Sequence, residues 1–188
     1  GIVGAGHIAK TFHLPAWKKN KRTKIVAICD IDNKRLKKIS KKFKVKNTYN
    51  NLEKMLKKEK LDILNICTPP NMHFQHISLG SKYKVNMLVE KPFVLNKIQS
   101  KKIIKIIKRN KVKCMCAMHQ RFRPISSIIK DLIQKNKIGK IYYIKVAIKQ
   151  YRNVPIHSKV FSDKTKSGGG PLIDLGSHYF DLACWFLN

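Results

Sequence analysis

Five short apolar runs, each closed by polar or turn-forming residues, alternate with Lys-rich amphipathic segments across the first 118 residues. The runs cover residues 1–3, 24–30, 61–67, 85–89 and 112–118. Their length and β-branched content suit strands buried on both faces, as in a parallel sheet. Between them, residues 32–43, 50–58, 71–84 and 96–111 carry helical periodicity. Leu36 and Ile39 mark the apolar face of the first of these helices. Leu52, Met55 and Leu56 mark the second, and Ile98, Ile103, Ile106 and Ile107 the last. A further helix, broken near Pro15, follows the opening run. Strands in alternation with helices predict an α/β fold, a doubly wound parallel sheet with right-handed crossovers.

After residue 120 the rhythm changes. Residues 124–136 read as a helix, 140–151 as one long, partly alternating strand, 152–170 as a loop ending in a Ser-Gly-Gly-Gly run, and 171–187 as a final helix. A long alternating strand suits an antiparallel sheet with one covered face. The second region, residues 120–188, is therefore expected to begin an α+β domain with an open, mostly antiparallel sheet. One long strand and one or two helices do not complete such a sheet, so that domain is expected to continue past Asn188. Only three residues precede Gly4 and there is no initiator Met, so the first strand is expected to start upstream of Gly1.

The formal charge of +31 invites a polyanion-binding reading. The composition argues otherwise. Of 41 basic residues, 35 are Lys and 6 Arg, whereas bidentate phosphate and base contacts favour Arg. Lys, Ile and Asn make up 72 of 188 residues, a profile that A/T-rich codon usage produces without a polyanion partner. The charge is also uneven: 17 Lys or Arg fall between Lys18 and Lys60, and none in 61–81 or 167–188. No specific nucleic-acid partner is expected. No run reaches the ~18 apolar residues of a membrane span, and the uncharged, Gly-rich start lacks a signal-peptide pattern. Five cysteines, odd in number and without ligand spacing, read as reduced thiols, which with the missing signal suggests a cytoplasmic location. His-Glu-x-x-His and Cys-x-x-Cys do not occur, so no metal is expected.

The two Lys-free stretches and the strand ends carry the chemistry. Gly4-Ala-Gly6-His-Ile-Ala9 fits the pattern G-x-G-x-x-(G/A). The first Gly permits the tight turn and the second lets backbone N–H groups approach a pyrophosphate. The small residue at position 9 lets helix and strand pack closely. Asp30 ends the next strand, where a carboxylate accepts from both ribose hydroxyls and favours NAD; Arg35 lies close enough to admit NADP. Thr68-Pro-Pro-Asn-Met-His73 and Glu90-Lys91-Pro92 end two further strands at the same edge of the sheet. A Lys beside a cationic nicotinamide would release its proton more readily, although 34 other lysines make a solvated role the ordinary one. Asp174-Leu-Gly-Ser-His178 sets a carboxylate and an imidazole at i and i+4, on one face of a helix. Asp181 and Trp185 continue that stripe, beside a core stripe of Leu172, Leu175, Tyr179, Leu182 and Phe186. Such a pair suits proton abstraction from a hydroxyl. An acid favoured by the helix dipole beside a buried core His satisfies the same spacing.

Taken in order, GIVGAGHIA, VAICD, ICTPPNMH, VEKP, HQRFRP and SGGGPLIDLGSHYFDL resemble the Gfo/Idh/MocA family of NAD(P)-dependent oxidoreductases across the whole chain. The resemblance implies a Rossmann domain over residues 1–119 and the start of a substrate-binding, catalytic domain over 120–188. It implies hydride transfer between NAD, or NADP, and a hydroxyl-bearing carbon of a sugar, sugar derivative or polyol. His178 would be the general base, Asp174 would orient it or bind substrate, and Lys91 would polarise the same oxygen. Cofactor contacts would fall on Gly4, Gly6, His7, Ile8, Asp30, Thr68, Pro69, His73, Glu90 and Lys91, with Arg121 near the active site. Some members are catalytically silent sensors, which leaves a sugar-responsive regulator as the alternative. Family members often assemble as homo-oligomers, and the same is expected here.

Overall fold

The computed structural model describes residues 1–147, 163–170 and 172–188. The chain divides into two compact units, Gly1–Cys116 and Ala117–Asn188.

The first unit is a six-stranded sheet in the order β3-β2-β1-β4-β5-β6, and every pairing is parallel. The strands are β1 (Ile2–Val3), β2 (Ala27–Cys29), β3 (Asn47–Tyr49), β4 (Ile63–Ile66), β5 (Asn86–Val89) and β6 (Cys114–Cys116). Helices α1 (Leu14–Lys19), α2 (Asn33–Phe43), α3 (Leu52–Lys58), α4 (Pro70–Lys82) and α5 (Lys97–Asn110) connect them. β1 pairs with both β2 and β4, so the strand order reverses there and a crevice opens beyond their carboxyl ends.

Local sequence explains the helix boundaries. Asp32, Asn51 and Asn96 each accept from the backbone N–H three residues on, capping α2, α3 and α5 at about 1 kcal/mol apiece. Lys44 and Lys111 close α2 and α5 in the left-handed conformation that glycine usually supplies. Lysine has thus spread even to helix ends, alongside Lys34, Lys37, Lys38, Lys41 and Lys42 on the exposed face of α2. Pro15 sits in the first turn of α1. The turn before it, Ala9–His13, is wide, with Leu14 N–H bonded to Ala9 O five residues back. Leu36, Ile39 and Phe43 bury one face of α2 against Ile2, Ile28 and Leu14. Met55, Leu64, Ile66, Ile77, Val89 and Ile103 fill the other side of the sheet. Each fully buried Leu or Ile contributes a few kcal/mol through loss of water contact.

Several expectations are corrected. β3 is an additional strand. Its residues Asn47 and Thr48 are exposed and it lies at the sheet edge, so apolar patterning does not mark it. Ile98 lies in solvent at the start of α5, whereas Ile103 is fully buried.

Among the described residues, the second unit holds a short turn, His119–Phe122, with Gln120 buried, followed by α6 (Pro124–Gln134), the single helical turn α7 (Lys164–Ser167) and α8 (Ser177–Leu187). A wide turn, Leu172–Gly176, leads into α8. Residues 140–147, expected as the first part of a long strand, pair with no neighbour among the described residues, and 148–151 lie outside them. A strand without a ladder partner gains no hydrogen bonds to hold it extended. Leu172, expected in the core stripe of the last helix, is exposed, while Leu175, Tyr179, Leu182 and Phe186 are half-buried. The wide turn shifts residue 172 off the periodicity of α8.

Candidate active site

The Gly-rich turn is built by three constraints. Gly4 has φ of +88°, and its N–H donates to Cys29 O at 2.8 Å. A Cβ on Gly4 would stand 2.7 Å from the backbone of Cys67 and Thr68, because β1 and β4 end side by side. A Cβ on Gly6 would meet nothing within 4 Å. The turn is therefore closed on the sheet side and open above Gly6, the shape a pyrophosphate approaching backbone N–H groups requires. His7 is exposed and Ile8 half-buried on the same turn.

Asp30 lies under this turn, 5% exposed. Its Oδ2 accepts from Ala5 N–H at 2.7 Å and its Oδ1 from Asp32 N–H at 2.9 Å. Arg35 Nη1 reaches both oxygens at 3.3–3.4 Å, and Nη2 lies 3.2 Å from Asp32 Oδ2. The acid thus shapes the glycine turn as well as standing at the strand end. Its neighbour Cys29 has its thiol pushed up to about 12 by burial and by the Asp30 charge. An open groove of about 620 Å³ continues beside Ile31, Asn51, Phe74 and His76. Ile31 is 89% exposed and offers that groove a flat apolar surface.

Thr68 and Pro69 are half-buried at the carboxyl end of β4. Two histidines on α4 grip Thr68. His73 Nε2 is 2.9 Å from Thr68 O, and His76 Nδ1 is 3.0 Å from Thr68 Oγ1. His73, expected as a cofactor contact, is fully buried, and its Nδ1 lies 2.9 Å from Pro92 O. Both ring nitrogens face backbone carbonyls; the neutral ring, with one N–H, donates to one of them and sits between the ends of β4 and β5. Burial holds both imidazoles below the usual histidine range, His76 down to about 4.

Glu90 ends β5 with its carboxylate nearly enclosed. Oε1 is 2.7 Å from His13 Nε2, and Oε2 accepts from Lys91 N–H at 3.1 Å. Burial alone would raise its pKa, but the His13 hydrogen bond and charge, aided by Lys91, outweigh it and leave Glu90 below the usual carboxylate range. Lys91 is half-buried, and its bond to Pro92 is cis. His13 and His76 were not singled out from the sequence; their signal is the i+3 spacing of His76 from His73 and the position of His13 on the helix after the glycine turn.

In the second unit, His178 is 5% exposed on the first turn of α8. The ring of His119 meets it edge to face, with centroids 4.4 Å apart and planes at 70°. Asp174 is half-buried one turn earlier, its backbone N–H bonded to Gly170 O at 3.1 Å. Arg121 makes a two-point ion pair with Asp181, at 2.7 and 2.5 Å, and stacks over Trp185. Lys130 is buried, donates to Trp185 O at 2.8 Å and lies over the same indole. Arg121 thus fastens the 119–122 turn to α8. The described residues contain no group of three or more His, Cys, Asp or Glu that could hold a metal, and no helix long and apolar enough to cross a membrane.

The parallel sheet, its order and the open glycine turn at the reversal point define a dinucleotide-binding Rossmann fold. Sequence comparison makes this specific. Residues 1–118 match the Gfo/Idh/MocA profile described as oxidoreductase family, NAD-binding Rossmann fold, and residues 127–188 match the Gfo/Idh/MocA C-terminal domain. The chain belongs to this family. An oxidoreductase of Formosa agariphila is 29% identical over the whole chain, which spans 60% of that protein. D-Glucoside 3-dehydrogenase of Escherichia coli is 25% identical, again over the whole chain and 53% of the relative. The crystal structure of WlbA dehydrogenase from Bordetella pertussis, in complex with NADH and UDP-GlcNAcA, superposes with a TM-score of 0.91 at 23% identity. That match covers 100% of this chain and 54% of the other. The chain thus spans a little over half the length of the relatives it matches.

Proposed function

We propose that the chain is the cofactor-binding and catalytic half of an NAD-dependent dehydrogenase acting on a hydroxyl-bearing carbon of a sugar, sugar derivative or polyol. The observation that carries this reading is the glycine turn: closed at Gly4, open over Gly6, and anchored by Asp30 at the sheet's reversal point. Those residues fit a dinucleotide. Gly4, Gly6, His7 and Ile8 would hold the pyrophosphate, Asp30 the ribose hydroxyls, and Ile31 the adenine. Thr68, Pro69, Glu90 and Lys91 would line the nicotinamide half. Arg35, half-exposed against Asp30, would meet a 2′-phosphate if NADP is used.

When bound, the nicotinamide supplies the hydride acceptor. Lys91 presents an ammonium group to the substrate hydroxyl oxygen and stabilises the negative charge that grows there as the proton leaves. His178, neutral, takes that proton, and Asp174 holds the imidazole or the neighbouring hydroxyl in place. Residues 1–119 serve as the cofactor domain, and 120–188 open the substrate-binding domain. The relatives named above, a glucoside dehydrogenase and a nucleotide-sugar-bound dehydrogenase, support this substrate class. We place the enzyme in the cytoplasm, where its five free thiols stay reduced, and as a homo-oligomer in its complete form.

The test is Lys91→Ala in the complete protein, assayed against a panel of sugars and polyols. Turnover is expected to fall about 100-fold or more, on the order typical for a lost stabiliser of developing negative charge, with NAD affinity within about threefold of the parent. Unchanged turnover would remove Lys91 from the reaction.

A further inference from the structure

Outside the glycine turn, the second unit brings two imidazoles into ring contact. His178 is 5% exposed, whereas His119, on the turn that packs against α8, is exposed. Their ring centroids are 4.4 Å apart. Two cationic rings at that distance repel strongly, so the pair takes up protons in two separated steps, with a single proton held over the interval between them. Burial disfavours charge on His178, and solvent favours it on His119. We propose that His119 is the positioning residue of the site: it carries the shared proton and thereby keeps His178 neutral, in the form able to accept a proton from substrate. The inference rests on the assignment of His178 as the base.

The surroundings agree with this division. Among the described residues, the 172–176 turn, the 119–122 turn and α6 pack against α8. Of their charged groups, Asp174 precedes His178 by one turn and favours a proton on the pair as a whole. Arg121 is neutralised by Asp181. Lys130 is committed to Trp185 O and Asp131 to Lys135, while Arg123 is exposed at the head of α6. Gln120, buried beside the pair, has its amide 3.3 Å from His119 Nε2. Its NH2 group serves a neutral ring, and a half-turn of the amide presents oxygen to a charged one. His119 can therefore change charge without losing its neighbour. The edge-to-face contact also fixes the plane of His178.

The experiment is an NMR titration of the histidine rings in the complete protein, free of cofactor and substrate, for wild type, His119→Phe and His119→Gln. Phe keeps the ring contact and Gln keeps polarity; neither titrates. In wild type, His119 should protonate at least about one pH unit above His178. In both variants His178 should protonate at a higher pH than in wild type, by about a unit. A His178 titration that is the same in all three proteins, or that precedes His119, overturns the proposal. The readout needs no turnover, so a protein inactive on every sugar tested would sink the dehydrogenase reading and leave this result standing on its own. In an active protein, the acid limb of the kcat/KM profile for alcohol oxidation should move up by the same amount in His119→Phe.

Discussion

The two units are held together by different means. Among the described residues, every buried apolar side chain, from Ile2 to Val112, belongs to the first unit. The buried residues of the second are Gln120, Ser126, Lys130, Ser167 and His178, while Phe122, Ile125, Ile128, Leu172, Phe180 and Leu187 are each more than half exposed. Its helices are joined by polar ties: Arg121 to Asp181, Lys130 to Trp185 O, and both cations over the Trp185 ring. Apolar burial is the dominant favourable term in folding, whereas partly exposed ion pairs contribute about 0–1 kcal/mol each. The first unit therefore rests on apolar burial, whereas polar ties dominate among the described residues of the second.

The strongest way to break this contrast is to separate the units. Residues 1–116 produced alone should unfold cooperatively in urea, whereas 117–188 alone should show no cooperative transition by circular dichroism. A sharp transition in the latter would refute the contrast. Next in size is the glycine pair of the first unit. Gly4→Ala forces a Cβ against backbone 2.7 Å away at a φ of +88° and should cost at least about 3 kcal/mol. Gly6→Ala meets open space and should change stability by less than about 1 kcal/mol, while weakening NAD binding measured by calorimetry. Equal thermal destabilisation by the two would contradict the described shape of the turn.

A comparable effect comes from pH. His76 is held near 4 by burial, with the His73 ring adding to it. Its folded form stays neutral while the unfolded chain takes up a proton below about 6.5. This contribution is therefore full above pH 6.5 and declines as the pH falls toward 4, by up to about 3 kcal/mol. Denaturation midpoints of His76→Leu should fall less steeply over that window than those of the parent. An identical slope would mean that His76 is not buried neutral.

Most of the first unit was legible because burial on both sheet faces leaves a continuous apolar signature. β3 was not, since an edge strand of Asn, Thr and Tyr carries no apolar alternation; it is held by its backbone pairing to β2 and by Tyr49, which packs on the core and donates to Glu59. The positions of Gly4, Gly6 and Asp30 were readable from spacing. The partners of Glu90 and Thr68 were not, because His13 and Glu90 lie 77 residues apart and only the crossovers bring them together. His73 shows the opposite problem. Its place in a motif suggested contact with a ligand, while its actual neighbours are two carbonyls. In the second unit, the spacing of Asp174 and His178 was visible, but His119 had no signal beyond its closeness to Arg121. An edge-to-face ring contact across separate elements leaves no periodicity behind.

The bond from Ala5 N–H to Asp30 has a consequence for redesign. The acid expected to discriminate between the two nicotinamide dinucleotides is also a strut beneath the loop that would cradle either one. Exchanging it for a small apolar residue, the simplest route to a changed coenzyme preference, removes the acceptor under Ala5 and under Asp32 together and leaves Arg35 with Asp32 as its partner. The expected selectivity and the scaffold thus fall on one side chain. An engineer seeking the phosphorylated coenzyme would do better to keep an acceptor there, as Asn or Ser, and to recruit Arg35 by trimming Asp32 instead.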